Sequence, residues 1–183
     1  PPPRGPRTPG WVAPARRSDR GGQEALAAKG VAVITVPENR WPRVDIKSIS
    51  LLPNVLAKQQ AKDAGAREAW FVDGGGFVTE GASTNAWIVT AGKTIVTRSA
   101  ESGILRGITR TVVLEVAADL GYRVEERPFT VAEALAAEEA FITAATTVVM
   151  PVVRLDGHAI GAGPPGGGAT TFPWKFHGFS EIS

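Results

Sequence analysis

Short β-rich runs that alternate irregularly with helices constrain the fold of this chain more than any other feature. The run at residues 31–36 is typical of a strand and is stopped by Pro37. Strands and helices do not follow a strict βαβ rhythm, which favours an α+β fold over a doubly wound sheet. Further strands are expected at residues 68–72, 77–79, 85–89, 94–97, 123–126, 140–143 and 148–155.

Four helices are expected, one before the first strand and three between later strands. Residues 51–64 predict a helix that Ser50 caps and Gly65 ends, and a second helix begins after Gly107 and ends at Gly121. Shorter helices are expected at residues 23–29 and 131–137. The first long helix should bury Leu52, Val55, Leu56 and Ala64. The second should bury Ile108, Val112, Val113, Val116, Ala117 and Leu120.

The 183 residues suffice for one substantial core. Residues 1–23 are rich in Pro, Gly and Arg and predict an irregular leader, residues 24–163 predict one domain, and residues 164–183 predict an irregular tail. A hydrophobic content of 43% and a charged content of 21% are those of an ordinary soluble globular protein. No long apolar run predicts a membrane span, and no signal peptide is evident, so the expected compartment is the cytoplasm.

Composition also excludes several kinds of site. The chain has no cysteine, which excludes disulfides, thiolate zinc sites and a cysteine nucleophile, and its 2 histidines make a histidine-based metal site improbable. The basic excess lies in the leader, where five arginines face only Asp19. From residue 24 onward acids and bases are interspersed, so we do not expect nucleic-acid binding.

Lys47 is the first candidate for chemistry. It lies in the segment Asp45-Ile46-Lys47-Ser48, among apolar and hydroxyl neighbours just before a helix. A lysine held out of water has a lowered pKa and becomes a nucleophile toward carbonyls. The alternative is a lysine that buries its aliphatic stem and keeps its amine in water.

Three later segments could serve the same site. Glu80 ends a strand beside the small residues of Gly81-Ala82-Ser83-Thr84-Asn85, where a flat ring could approach, although a plain turn is the alternative. Gly107-Ile108-Thr109 opens a helix whose free N–H groups could hold an anion, unless these residues serve capping alone. The turn at residues 143–147 could supply hydroxyl donors, or its threonines could simply favour strands. An amine, an acid and anion donors are together what a phosphorylated pyridine aldehyde requires.

These segments, at these separations, resemble the fold-type-IV pyridoxal-phosphate enzymes over about residues 30–160. That class includes D-amino-acid aminotransferases, branched-chain aminotransferases and aminodeoxychorismate lyases. The run Leu51-Leu52-Pro53-Asn54-Val55-Leu56-Ala57-Lys58-Gln59 is most similar to the D-amino-acid aminotransferases. The resemblance implies a mixed-sheet, pseudo-barrel cofactor domain, pyridoxal 5'-phosphate as cofactor, an amino acid such as D-alanine and a 2-oxo acid as substrates, and a homodimer.

The resemblance also implies a role for each site residue. Lys47 would form the internal aldimine and shuttle a proton, and Glu80 would pair with the ring nitrogen and have a depressed pKa. Gly107 would lead into the phosphate-binding turn. The remaining implied contacts are Leu105 behind the ring, Ile108 and Thr109 at the phosphate, Arg40 organising the site, and Thr146, beside Ala145, at the phosphate.

Both ends depart from the family pattern. The resemblance implies a further N-terminal domain that supplies a phosphate-binding arginine, substrate contacts and part of a dimer interface. Such ends are what a truncated or frame-shifted reading would produce, and we expect weak transamination from this chain alone. The alternatives are a branched-chain aminotransferase, an aminodeoxychorismate lyase, or an inert fragment that retains the fold.

Overall fold

A computed structural model describes residues 20–101 and 103–161 of the chain. Nine strands in these ranges join one mixed sheet. The strands are β1 Val31–Pro37, β2 Glu68–Val72, β3 Val78–Gly81, β4 Asn85–Thr90, β5 Thr94–Thr97, β6 Arg123–Glu126, β7 Glu139–Ala144, β8 Val148–Leu155 and β9 His158–Ala159. The helices of the same ranges are α1 Arg20–Lys29, α2 Leu52–Asp63, α3 Ile108–Asp119 and α4 Val131–Ala136.

The strand order is β3-β2-β1-β8-β7-β4-β5-β6, with β9 paired to β8. Strand β1 is parallel to both β2 and β8, and β5 is parallel to β6, whereas the other pairs are antiparallel. The sheet is curled into a half-barrel, so the predicted α+β class with a mixed sheet is confirmed. The parallel pairing of β1 and β2 requires a crossover connection, and residues 38–51 together with α2 provide it.

Alternating side chains divide the core between the two faces of the sheet. One face carries Trp70, Ile88 and Ile142 and packs against α1 and α4. The opposite face carries two clusters, one around Phe71 and α2 and the other around Trp87 and α3. Helices α2 and α3 therefore stand side by side on one face.

The predicted apolar face of α2 is wrong. Its leucines and valine, expected inside, are exposed: Leu52 by 69%, Val55 by 59% and Leu56 by 52%. The buried residues of the helix are Ala57 and Ala61. Small side chains allow the helix backbone to lie close to the sheet, so the alanine stripe packs inward and turns the larger side chains away.

Helix α3 is partly as expected. Val113, Val116 and Ala117 are buried, but Ile108 is 82% exposed and Val112 is 42% exposed. Arg110 takes an inward position instead, with only 2% exposure, because Glu126 and the carbonyl of Arg98 accept from its guanidinium. A charged side chain is buried here because it is paired.

The predicted leader and tail fall mostly on residues 1–19 and 162–183, which lie outside the described ranges. Among the described helices, none has the length and apolar character that a bilayer crossing requires. The same residues contain no group of three or more His, Asp or Glu side chains placed to hold a metal ion.

Candidate active site

A pocket of about 480 Å³ lies between the N-terminal ends of α2 and α3. Its wall is built from the loop after β1, the end of β3 with its following turn, the start of α3 and the end of β7. The pocket gathers seven of the eight residues predicted for the site, although they are far apart in the sequence. They are Arg40, Lys47, Glu80, Leu105, Gly107, Ile108 and Thr109.

Glu80 is the buried acid of the pocket. It lies on β3, all of whose residues are buried, and is itself 5% exposed. Its Oε1 accepts from Arg40 Nη1 at 2.6 Å, and its Oε2 accepts from Asn85 Nδ2 and from the backbone N–H of Leu105, both at 3.2 Å. A carboxylate offers about four acceptor positions, so these three bonds leave one for a further donor.

Arg40 carries the charge that faces Glu80. Its side chain is 5% exposed, and its guanidinium carbon lies 4.4 Å from the centre of the Phe71 ring. Glu38 binds the other edge of the guanidinium: Nε donates to Oε1 at 2.8 Å and Nη2 donates to Oε2 at 2.6 Å. The hydroxyl of Thr79 donates to Glu38 Oε2 at 2.7 Å. Arg40 is therefore held between two acids.

The two acids differ in their titration. Burial raises the pKa of Glu80 above its ordinary value, although the charge and hydrogen bond of Arg40 act in the opposite direction. For Glu38, burial also acts to raise the pKa, but the hydrogen bonds from Arg40 and Thr79 outweigh it and the net pKa is lowered. The depressed pKa expected for Glu80 depends on the charge of a bound partner and stays a prediction, whereas in the protein alone the pKa is raised. That expectation counted the charge of a bound cation and omitted the cost of burial.

Lys47 lines the pocket, but its surroundings differ from those expected. The side chain is exposed, not buried among apolar neighbours. The neighbours themselves face solvent, with Ile46 exposed by 45% and Ile49 by 97%. Residues 40–51 form turns and bends without a helix or strand, so an irregular segment carries the amine.

The start of α3 forms another part of the pocket wall. Gly107 is the N-cap residue of the helix, and no side chain caps this end, which leaves the first backbone N–H groups without intrahelical partners. A Cβ on Gly107 would lie 2.5 Å from Oδ1 of Asn85. The same Asn85 side chain donates to the carbonyl of Leu105 at 3.0 Å and to Glu80. A larger residue here would displace the Asn85 amide and disturb its bonds to Leu105 and Glu80.

The turn at residues 143–147, at the end of β7, contributes less to the pocket wall than expected. Thr143, Ala144 and Ala145 line the pocket, whereas the described wall does not include Thr146. Thr146 is exposed, and its carbonyl accepts from the side chain of Gln23. The assignment of Thr146 to an anion-binding role is not supported, because the pocket-facing position in this turn is taken by Ala145.

Sequence reasoning did not assign a role to Glu38 or Asn85. Asn85 was visible as the last residue of the small-residue segment after Glu80, but its bonds to Leu105 and Glu80 depend on a contact 20 residues away along the chain. Glu38 was visible only as an acid two residues before Arg40. That spacing is equally typical of a surface ion pair, and only the pairing of β1 with β2, and of β2 with β3, gives it a place beside the pocket.

Known proteins that are similar to this chain are aminotransferases. Residues 10–155 match the family model described as amino-transferase class IV. The chain is 44% identical over 137 residues to a D-alanine aminotransferase of Bacillus licheniformis, covering 75% of this chain and 48% of that protein. It is 41% identical over 140 residues to a putative branched-chain-amino-acid aminotransferase of Methanocaldococcus jannaschii, covering 74% and 48%. The chain thus spans about half the length of the curated relatives it matches.

Solved structures show the same fold. The branched-chain aminotransferase from Thermoproteus uzoniensis, crystallised with norvaline, superposes with a TM-score of 0.70 at 33% identity, covering 76% of this chain and 48% of that one. The PLP-bound form of a hypothetical aminotransferase from Mycobacterium tuberculosis superposes with a TM-score of 0.71 at 25% identity, covering 79% and 54%.

Proposed function

This chain belongs to the class IV aminotransferases, and from that premise we propose that it is the cofactor-binding part of a pyridoxal 5'-phosphate-dependent transaminase. The reaction moves an amino group from an amino acid to a 2-oxo acid. The observation that carries the proposal is the buried carboxylate of Glu80, held by Arg40 in the same pocket as the amine of Lys47.

The residues of the pocket fit this cofactor. A volume of about 480 Å³ lies within the range of small-molecule sites, roughly 300–1,000 Å³. Glu80 has an acceptor position left for a ring N–H. The uncapped first turn of α3, at Ile108 and Thr109, offers backbone donors to a phosphate. We infer that Leu105 packs behind the ring.

When bound, the cofactor supplies a ring that accepts the electron pair of the substrate's α-carbon. Nζ of Lys47 would hold the cofactor through its aldehyde carbon, with loss of water, and would accept the proton that leaves the substrate's α-carbon. Glu80 would hold the proton of the ring nitrogen by a charge-assisted hydrogen bond. Arg40 and Asn85 fix the orientation of the Glu80 carboxylate in the pocket.

Reduction of the cofactor complex with borohydride tests the assignment of Lys47. The wild-type chain mixed with pyridoxal 5'-phosphate should show a new absorbance band, and mass spectrometry after reduction should place the adduct on Lys47. Lys47→Ala should lose both signals, whereas Lys62→Ala, on the exposed side of α2, should retain them. An adduct that persists in Lys47→Ala contradicts the proposal.

D-alanine is the amino donor we propose, because the chain is 44% identical to a D-alanine aminotransferase over its matched length. The similarity to a putative branched-chain enzyme favours L-branched amino acids as the second candidate. Assays with D-alanine, L-leucine and aminodeoxychorismate separate the two transaminase activities and the lyase activity. Formation of pyruvate from D-alanine and 2-oxoglutarate is the expected result, and turnover of L-leucine alone would favour the second candidate.

We also propose that the protein works as a cytoplasmic homodimer. The exposed apolar side chains of Leu52, Val55, Ile108 and Val112 support an association surface beside the pocket. Light scattering coupled to size-exclusion chromatography should give twice the mass of the chain. A mass of one chain at micromolar concentration contradicts the dimer.

A further inference from the structure

Glu38 lies outside the pocket wall but binds the arginine that faces the pocket acid. Both oxygens of Glu38 accept from the guanidinium of Arg40, whose Nη1 donates to Glu80. The Glu38 side chain is 21% exposed and the Arg40 side chain 5% exposed. We call Glu38, Arg40 and Glu80 the acid–arginine–acid cluster. Its contacts form one continuous chain of charged hydrogen bonds that ends at the pocket.

The charges of the cluster do not balance. With all three groups ionised, two carboxylates and one guanidinium leave one negative charge. Arg40 and Glu80 alone would be a neutral pair, and a neutral pair attracts a cationic ring only weakly. Glu38 restores the excess of negative charge, because the single positive charge of Arg40 then pairs with two carboxylates.

We propose that Glu38 is a positioning residue that engages Arg40 so that Glu80 presents a net negative charge to a protonated ring nitrogen. This inference rests on the proposed cofactor function. Glu38 acts through Arg40 and makes no contact with the cofactor itself. The geometry that supports this role is the two-point contact of Glu38 with the guanidinium, backed by the hydroxyl of Thr79 at 2.7 Å.

The titration of Glu80 agrees with this arrangement. The charge of Glu38 acts to raise the pKa of the Glu80 carboxyl, in addition to the larger effect of burial. Among the described residues, the charged groups around Glu80 are Arg40 and Glu38 from the segment after β1, with Lys47 and Arg106 in the pocket wall. The partners from β4 and from the segment before α3, Asn85 and the Leu105 N–H, do not titrate. Neutralising Glu38 should therefore lower the pKa of Glu80.

Two ligands separate a charge effect from a loss of structure. One is pyridoxal 5'-phosphate, and the other is its analogue with a C–H group in place of the ring nitrogen. Both present the same aldehyde and phosphate, so contacts with Lys47 and the start of α3 are shared. The dissociation constants of both ligands are measured by absorbance titration, and their ratio reports the preference for the ring cation.

Glu38→Gln keeps the size of the side chain and removes its charge, and Glu38→Asp keeps the charge. Glu125→Gln is the matched control, because Glu125 also binds an arginine two residues later, has a side chain exposed by 28%, and lies on β6 away from the pocket. A third variant, Thr79→Val, removes the hydroxyl that donates to Glu38 Oε2 while the bond from Arg40 Nη2 remains, and it serves if Glu38→Gln does not fold.

Glu38→Gln should reduce the preference for pyridoxal 5'-phosphate by about tenfold, the effect of one partly screened charge near the ring. Binding of the analogue should stay unchanged. Glu38→Asp should recover most of the preference, Thr79→Val should reduce it less than Glu38→Gln does, and Glu125→Gln should leave it unchanged. In the ligand-free chain, carbon-13 NMR of the carboxyl groups should show a lower pKa for Glu80 in Glu38→Gln.

Equal weakening of both ligands would assign Glu38 a structural role only and overturn the inference, as would an unchanged preference. If the wild-type chain binds neither ligand, the proposed function is refuted, and with it the proposed role of Glu38 toward a cofactor ring. The ligand-free titration still tests the charge effect in that case, and an unmoved Glu80 pKa overturns it. Binding by the wild type with an unchanged preference in Glu38→Gln overturns the inference and leaves the proposed function standing.

Discussion

Replacing Arg40 with methionine tests whether the acid–arginine–acid cluster stabilises the fold through charge. Methionine keeps an unbranched stem over the Phe71 ring but removes the hydrogen bonds that the guanidinium donates to Glu38 and Glu80. Removing one partner of a buried ion pair costs about 3–5 kcal/mol, because the remaining charge stays uncompensated. Glu38 is partly exposed and can regain water, so we expect the lower end, about 3 kcal/mol of unfolding free energy.

The pKa shifts of Glu38 and Glu80 predict how the stability lost in Arg40→Met depends on pH. The folded pKa of Glu38 is lowered, so its contribution to stability is present above the unfolded pKa and is lost as the pH falls. The folded pKa of Glu80 is raised, so its contribution favours the folded state at low pH and is lost as the pH rises. Without Arg40 both carboxyls become harder to ionise. The deficit of Arg40→Met should therefore be largest at neutral pH and should shrink as the pH falls toward about 4, where carboxyls protonate.

Urea and thermal unfolding, both followed by circular dichroism at neutral pH and near the carboxyl pKa, measure this deficit. At neutral pH we expect a melting temperature lower by about 10 °C, given the size of the chain. Arg43→Met is the control from the same loop, since Arg43 pairs with Asp45 at 61% and 42% exposure, where solvent screens the pair, and it should leave stability nearly unchanged. A deficit that is absent, or that stays constant on acidification, refutes the charge-based reasoning.

Three further substitutions test individual contacts by thermal unfolding. Gly107→Ala places a Cβ 2.5 Å from Asn85 and should cost about 2 kcal/mol and weaken cofactor binding, whereas Gly74→Ala, which meets open space, should cost less than about 0.5 kcal/mol. Glu68→Ala removes a carboxylate that is 1% exposed and pairs with Lys58 at 3.3 Å, and it should cost about 2 kcal/mol; a variant as stable as the wild type would contradict that cost. Thr130→Ala breaks the capping box of α4 and should cost about 1 kcal/mol, and no change in melting temperature would contradict that role.

The strands were predictable because their residues are β-rich and bounded by turn residues, and the observed bounds of β2, β5, β6 and β8 equal those expected. The buried faces of the long helices were not. Hydropathy predicted that Leu52 and Ile108 face the core. In the structure, alanines of α2 and the paired Arg110 of α3 face the core instead. Periodicity indicates which residues can be buried, and the neighbouring sheet decides which of them are.

The residues of the candidate site also fall into those that the sequence predicted and those that it did not. Glu80 and Gly107 were found because each stands in a local segment whose composition points to a role. The burial expected for Lys47 was wrong, because apolar neighbours in sequence do not imply apolar neighbours in space. Glu38 could not be found from spacing, since Glu125 and Arg127 show the same separation away from the pocket. Only the assembled sheet distinguishes the two pairs.

The crossover between β1 and β2 carries the arginine at its beginning and the lysine further along, with residues 41–46 between them. Sheet register fixes the acid on β3, whereas the reach of the amine is set by the length of a stretch that contains no helix or strand. Inserting or deleting a residue there would shift the amine of Lys47 relative to the carboxylate of Glu80, while the strand pairing that holds Glu80 stayed in place. The spacing between the amine and the acid is consequently a property that chain length can adjust without repacking the interior.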